Sequence, residues 1–312
     1  MPVVHTDKVV VLLSTYNGEK FLEAQLDSIL KQTYSNLIVV IRDDGSTDAT
    51  VSILEAYQQY DQIILMSDTR NNLGPKMSFG ELLRLGLLDT TAEYFMFADQ
   101  DDIWLPDKIE RTLRVMKREE AGGASLPILI HSDLRVIGIQ GEEIHPSFWA
   151  YQNLRPSRDS FPRLLMQNVI TGCTVMLNRK LAELCLPVHP DAIMHDWWIG
   201  LVASAFGKIG YVHEPTILYR QHQQNSVGAK RFNSRYILNK IFEPVSIEKN
   251  IKQASAFRAK FIHTLSGRSR LTLDQYIALE HASYMKRRLL IVKNGFYKIG
   301  LIRNLGLLIN WR

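Results

Sequence analysis

The chain is poor in cysteine: Cys173 and Cys185 are the only two in 312 residues. Two thiols so far from any partner motif make neither a disulfide framework nor a paired metal-ligand set. A reducing compartment is expected, with both thiols as small buried side chains. Long apolar runs are missing too, since none approaches the roughly 20 residues that span a bilayer. Any membrane contact is therefore expected to be peripheral. The opening MPVVHTDKVVVLLSTYNGEK lacks the basic start, apolar middle and small-residue cleavage site of a signal peptide, which predicts a cytoplasmic protein. No G-x-G-x-x-G follows the first apolar run and no G-x-x-x-x-G-K-[ST] occurs anywhere, which argues against dehydrogenases and P-loop enzymes.

The remaining composition, 46% hydrophobic and 22% charged, is that of a globular protein able to bury a core. Its net charge of +5 conceals an asymmetry. From Gly228 to Arg312 there are 17 Lys and Arg against 4 Asp and Glu, a balance of +13, while residues 1–227 carry −8. This shift, together with the loss of strand-like runs, sets a boundary near Val227–Phe232 and predicts two units, residues 1–228 and a basic helical region, 229–312.

Within the first hundred residues, apolar runs alternate with amphipathic stretches. Val9–Ser14 and Leu37–Arg42 are continuous β-branched runs, as strands covered on both faces of a parallel sheet require. Between them Phe21, Leu22, Leu26, Ile29 and Leu30 fall at helical spacing. Further strands are expected at Ile63–Met66 and Tyr94–Ala98, with Ser46 or Thr47 capping a helix that runs to about Tyr60 and another helix over 77–88. The rhythm predicts an α/β fold with right-handed crossovers.

Ligands of such sheets bind beyond the carboxyl ends of the strands. STYNGE, DDGSTD and DQDD fall there. Asp99 and Asp101, two apart after a strand, can face one hard cation, Mg²⁺ or Mn²⁺, which prefers oxygen ligands and relieves like-charge repulsion. The plain alternative is that Asp99 accepts backbone hydrogen bonds in a turn. Asp102 is expected to cap or orient the loop beside Trp104. Asp43 and Asp44 can accept from a ring imide or from ribose hydroxyls, or can form Asx turns.

VVVLLSTYNGEKFLEAQLDSILKQTY, VVIRDDGSTDAT, NNLGPKMSFGELL and YFMFADQDDIWLPDKIE, in this order, resemble family 2 glycosyltransferases of the GT-A fold, over about residues 8–228. The resemblance implies a Rossmann-like, mostly parallel sheet flanked by helices, with a C-terminal helical extension, and inverting transfer of a sugar from a nucleotide diphosphate. It implies that Thr15, Tyr16 and Asn17 line the base pocket with Asp44 on the pyrimidine imide and Asp43 behind it. Asn72, Gly74 and Lys76 would approach the ribose or diphosphate, with Gln100 beside the donor. Asp99 and Asp101 would hold Mg²⁺ or Mn²⁺, and Arg220 and His222 would reach the diphosphate and the metal. Asp196 of HDWW matches the general base, and Trp197 and Trp198 would offer a flat face to the acceptor, with core packing the alternative and expected to be the sole role of one of the two.

The wording DQDDIWLPDK, HDWW and YRQH is similar to bacterial rhamnosyltransferases that build cell-wall or O-antigen polysaccharide from dTDP-L-rhamnose. A UDP-sugar donor is the alternative, and so is a non-catalytic sugar-nucleotide or glycan-binding module. A nucleotidyltransferase is disfavoured because its Gly-rich basic loop is missing. The processive Gln-x-x-Arg-Trp signature is also absent, which favours transfer of one or a few residues. Lys286–Arg312 interleaves cations with apolar residues in the manner of an interfacial amphipathic helix, giving a peripheral place at the inner face of the cell membrane beside a lipid-linked glycan acceptor. A homodimer through the C-terminal helices is the other reading of this surface; no nucleic-acid recognition motif is present.

Overall fold

The computed structural model describes residues 6–67, 70, 72–122, 125–222 and 247–310. The expected boundary at Val227–Phe232 lies outside the described residues.

The chain opens with β1 (Lys8–Thr15), α1 (Leu22–Leu30), β2 (Leu37–Asp43), α2 (Thr50–Tyr57), β3 (Ile63–Leu65), α3 (Gly74–Gly86) and β4 (Ala92–Ala98). Strands β3, β2, β1 and β4 lie side by side in parallel, with Val11 opposite both Val39 and Met96. Every residue from Val9 to Leu13 is fully buried, because alternate side chains enter two separate cores. Val10 and Leu12 face one core, Val9, Val11 and Leu13 the other. This is the condition that the unbroken β-branched run foretold.

The sheet then departs from pure alternation. β5 (Ile103–Trp104), α4 (Lys108–Glu120), β6 (Ile128–Ile137) and β7 (Glu143–His145) follow, then α5 (Phe148–Gln152), α6 (Phe161–Met166), β8 (Met176–Asn178), α7 (Arg179–Cys185), α8 (His195–Phe206) and β9 (Lys208–Arg220). β8 inserts antiparallel between β4 and β6, and β9 runs parallel to β6. The order is β3-β2-β1-β4-β8-β6-β9-β5, with β7 on β6. The result is a mixed, mostly parallel sheet flanked by helices.

α2 begins at Thr50, later than a cap at Ser46 or Thr47 would place it. Those residues are spent elsewhere: Ser46 Oγ accepts from Asn17 N and Thr47 N donates to Asn17 Oδ1, both at 2.8 Å. Asp48 takes over at the helix start, accepting from Thr50 N at 3.0 Å.

After residue 247 the chain is helical, in α9 (Glu248–Phe261), α10 (Gly267–Ile277), α11 (Tyr284–Asn294) and α12 (Leu301–Asn310). Phe257, Phe261, Leu273 and Tyr276 join the core that contains Val10 and Leu12. Tyr276 Oη donates to Leu165 O at 2.8 Å, and the indole of Trp198 lies 5.5 Å from Phe257. Among the described residues no helix is long and apolar enough to cross a membrane.

Candidate active site

A cleft of about 950 Å³ opens beyond the ends of β1, β2 and β4. Its floor is built by backbone that side chains hold in place. Gln100 spans two loops: its Oε1 accepts from Tyr16 N at 2.8 Å and its Nε2 donates to Tyr16 O at 3.0 Å. Gly18 permits this approach, since a Cβ there would stand 2.4 Å from Gln100 Oε1. Asn17 adopts φ 47°, a left-handed conformation that asparagine tolerates, and its side chain is absorbed by Thr47. Tyr16 is half exposed at the mouth, where its ring can stack on a flat ligand.

The two aspartates after β2 have different duties. Asp43 is consumed by the loop: its carboxylate accepts from Thr15 Oγ1 at 2.8 Å, Gly45 N at 3.0 Å, and Ser46 N at 2.8 Å and Oγ at 2.6 Å. This is the turn chemistry foreseen for one of the pair. Asp44 lines the cleft and is buried against the guanidinium of Arg42, Oδ1 to Nη1 at 2.8 Å. It also accepts from Leu73 N and Gly74 N, both at 2.8 Å, so it tethers the start of α3, with Asn72 (φ 59°) and Gly74 (φ 72°) at the cleft wall. One lone-pair position of Oδ2 stays available to a ligand. Arg42, fully buried as the counter-ion of Asp44, was not singled out from the sequence. A lone cation inside an apolar strand, directly before two acids, was the signal to follow.

Two expected contacts, those of Lys76 and Arg220, are not formed, and of the two tryptophans Trp198 is the one that only packs in the core. Lys76 does not face the cleft: its Nζ donates to Ala192 O at 2.8 Å and to Pro190 O, because α3 packs beside the loop that precedes α8. Arg220 is likewise turned away. Its guanidinium donates to the carbonyls of Asp101 (3.1 Å) and Ile139 (2.9 Å) and lies over the Phe21 ring, where it stiffens the aspartate loop from behind. Trp198 has no surface for an acceptor, being fully buried with Nε1 donating to Cys185 O at 3.0 Å. Trp197 is the member of the pair that lines the cleft, and its indole N–H is held by Leu164 O at 2.6 Å.

Asp99, Asp101 and His222 line one side of the cleft. His222 Nε2 and Asp101 Oδ2 are 2.7 Å apart. Burial, then the charges of Asp101 and Asp196, push Asp99 up to about 7, against a smaller opposing hydrogen bond from the Cys173 thiol. Two carboxylates and an imidazole around a cleft form a donor set that suits Mn²⁺ or Mg²⁺, and a cation there would remove the repulsion that lifts Asp99. Asp102 belongs to a different layer. It is fully buried and accepts from Arg220 N at 3.1 Å, so it orients the end of β9 rather than capping its own loop. Among the described residues, the group of carboxylate, imidazole or thiol side chains whose ligand atoms all lie within 4.8 Å of one another is Asp99, Asp102 and Cys173, not Asp99, Asp101 and His222, but Asp102 and Cys173 sit behind the cleft, closed to solvent.

Asp196 stands in the first turn of α8 and faces the same cleft. Burial raises it to about 7, opposed by hydrogen bonds from Trp197 N, Gly172 N and the Asn168 side chain. Asn168 and Gly172 were not anticipated, because both come from a loop whose sequence carries no motif. His195, next to Asp196, is wedged against Phe79 (4.3 Å) and Phe97 (5.0 Å), and burial lowers it to about 3, so the ring is neutral.

Comparison with known proteins agrees with this architecture. The model of glycosyl transferase family 2 matches residues 10–185. The dTDP-rhamnosyl transferase RfbG of Shigella flexneri is 30% identical over 72% of this chain and 76% of its own. An uncharacterized glycosyltransferase of Haemophilus influenzae is 26% identical over 94% of this chain and 98% of its own. Among solved structures, Staphylococcus aureus TarS 1–349 with UDP-GlcNAc superposes with a TM-score of 0.56 at 14% identity, covering 96% of this chain and 90% of that one. The mannosyltransferase PcManGT of Pyrobaculum calidifontis with GDP-Man and Mn²⁺ gives 0.54 at 16% identity, covering 98% and 84%. With the family model spanning more than half its length and the GT-A architecture around a strand-end cleft, this chain belongs to glycosyl transferase family 2 and is a glycosyltransferase.

Proposed function

We propose that the protein transfers L-rhamnose from dTDP-L-rhamnose, with inversion and with the help of Mg²⁺ or Mn²⁺, to a lipid-linked or polysaccharide acceptor in bacterial cell-surface glycan synthesis at the inner face of the membrane. The observation that carries the reading is the convergence of Asp196 with Asp99, Asp101 and His222 on one cleft. In this reading Tyr16 and Asp44 receive the base, with Thr15 and Asn17 in the loop beneath it. Asn72, Gly74 and the Gln100-braced loop border the ribose and diphosphate, and Trp197 faces the acceptor. Residues 1–228 are the transfer unit and 229–312 the contact region.

The chemistry asks little of the protein beyond position and one base. Asp99, Asp101 and His222 would hold the cation, which supplies charge neutralisation to the departing diphosphate. Asp196 takes the proton from the acceptor hydroxyl as its oxygen bonds to the anomeric carbon from the face opposite the breaking bond to the diphosphate. The donor assignment leans on the 30% identity to a rhamnosyl transferase.

The test is nucleoside diphosphate release from a panel of nucleotide sugars by the purified protein, with each cation in turn. Release from dTDP-L-rhamnose is expected, and release from UDP-sugars alone would overturn the donor assignment. Asp101→Asn should weaken nucleotide binding only when the cation is present; equal binding with and without metal in both proteins would remove the metal site.

A further inference from the structure

The helices after residue 247 do two different things. α9 and α10 are packed into the core through Phe257, Phe261, Leu273 and Tyr276. Among the described side chains, α11, α12 and the turn between them are buried against the body at Ile291, Phe296 and Leu307. Their other side carries Met285, Leu289 and Val292 at i, i+4 and i+7 of α11, and Leu305 and Ile309 at i and i+4 of α12. Met285 is 74% exposed, Leu289 65% and Ile309 62%. Of the fourteen large apolar residues exposed among those described, six lie between 284 and 309, which marks a patch and not a scatter. Arg288 Nη2 reaches Ile309 O at 3.5 Å, a contact that joins the two helices.

Charge names the occupant. From His281 to the end of the chain the sequence has 7 Lys and Arg and no acidic residue. Lys286 and Lys293 stand exposed beside the apolar stripe. An interface with a second copy would set these cations against one another, whereas an anionic bilayer accepts both the stripe and its basic flank. The corner between the helices is also bonded to the cleft wall. Ile299 N donates to Gln167 Oε1 at 2.8 Å and Arg303 Nη2 to Gln152 O at 3.4 Å, and both glutamines line the cleft.

We infer that α11 and α12 together form an interfacial membrane-binding surface that lies in the headgroup layer of an anionic leaflet, with the cleft held beside that layer. The inference rests on the reading that the acceptor is lipid-linked only for its purpose. Binding itself needs neither donor nor acceptor.

The experiment is co-sedimentation of the full chain with vesicles of phosphatidylcholine alone or with about a third phosphatidylglycerol. The expected result is binding to the anionic vesicles, weakened by salt. Met285→Glu/Leu289→Glu, at two exposed positions, should lower the bound fraction about tenfold with an unchanged melting temperature and unchanged nucleoside diphosphate release. Failure of the intact chain to bind, or equal binding of the double variant, overturns the inference. So does a solution dimer that the double variant dissociates, which would make the patch an interface between copies. The vesicles contain no substrate, so this outcome and the donor panel can fail independently.

Discussion

Burial lifts the Asp196 carboxyl to about 7, and that value governs both its use and its cost. A base must be ionised before it can take a proton, so turnover should climb as pH rises through about 7 and level off above it. A flat profile from about pH 5.5 to 8 would count against this residue. Asp196→Asn keeps the shape and one acceptor oxygen but cannot accept the proton, and should lower kcat by roughly 10² to 10⁴ with nucleotide affinity retained. Stability moves the opposite way. The folded value lies above the ordinary 3.8, so the folded state holds this proton more tightly than the unfolded chain. That contribution is complete below about pH 3.8 and is lost as pH rises to about 7, leaving the ionised group at a cost on the order of a few kcal/mol. The asparagine variant should therefore melt higher than the parent, by more at about pH 8 than at about pH 5. Equal melting temperatures at both would mean that the carboxyl is better solvated than its burial indicates.

The cleft is an arrangement of loops, and one side chain couples the loop after β1 to the loop after β4. Gln100→Ala removes both hydrogen bonds to Tyr16, each of which contributes about 1 kcal/mol. Gly18→Ala forces the same side chain out of its place, because the new methyl would occupy the position of Gln100 Oε1. Both variants should raise KM for the nucleotide sugar several-fold with smaller changes in kcat, as measured by initial rates; a loss confined to kcat would show that the clamp serves the chemistry instead. At this scale the sequence was informative where the physics is local. Unbroken β-branched runs read as doubly covered strands, and β1 and β2 are such strands; β4, aromatic and Met-rich, is buried likewise, and residues of the polar clusters after all three strands line the cleft. Two things depend on distant chain and were not readable. The antiparallel insertion of β8 beside β4 is set by pairing between residues about eighty apart, for which a three-residue strand leaves no pattern. Long side chains go where remote loops offer acceptors: Lys76 finds carbonyls 114 and 116 residues away, and Arg220 one 119 residues back. Periodicity places a helix face but does not tell which loop lies against it.

For the whole molecule the question is whether the basic C-terminal region is a separable unit, as the charge shift suggested. Composition reports on surfaces, and the surface of α11 and α12 is indeed different in kind. The interior tells another story, because Trp198, on α8 two residues after Asp196, is walled by Phe257 and Phe261 from α9. Lys260 Nζ further bridges to Cys185 O at 3.1 Å and Pro187 O at 2.9 Å. Removing residues 248–312 would expose that tryptophan and the Phe161 and Leu165 side of α6, a large apolar area. The remaining 1–247 fragment should be insoluble or molten. The full chain should unfold in one denaturant transition followed alike by tryptophan fluorescence and by circular dichroism. Phe257→Ala should shift that single transition by about 3 to 5 kcal/mol, since a fully buried ring is lost from a packed wall. It should do so without splitting the transition, because the ring joins the two regions and is not internal to either. Two resolved transitions, with the variant moving only the earlier one, would instead establish the C-terminal helices as an independent domain docked on a self-sufficient transferase.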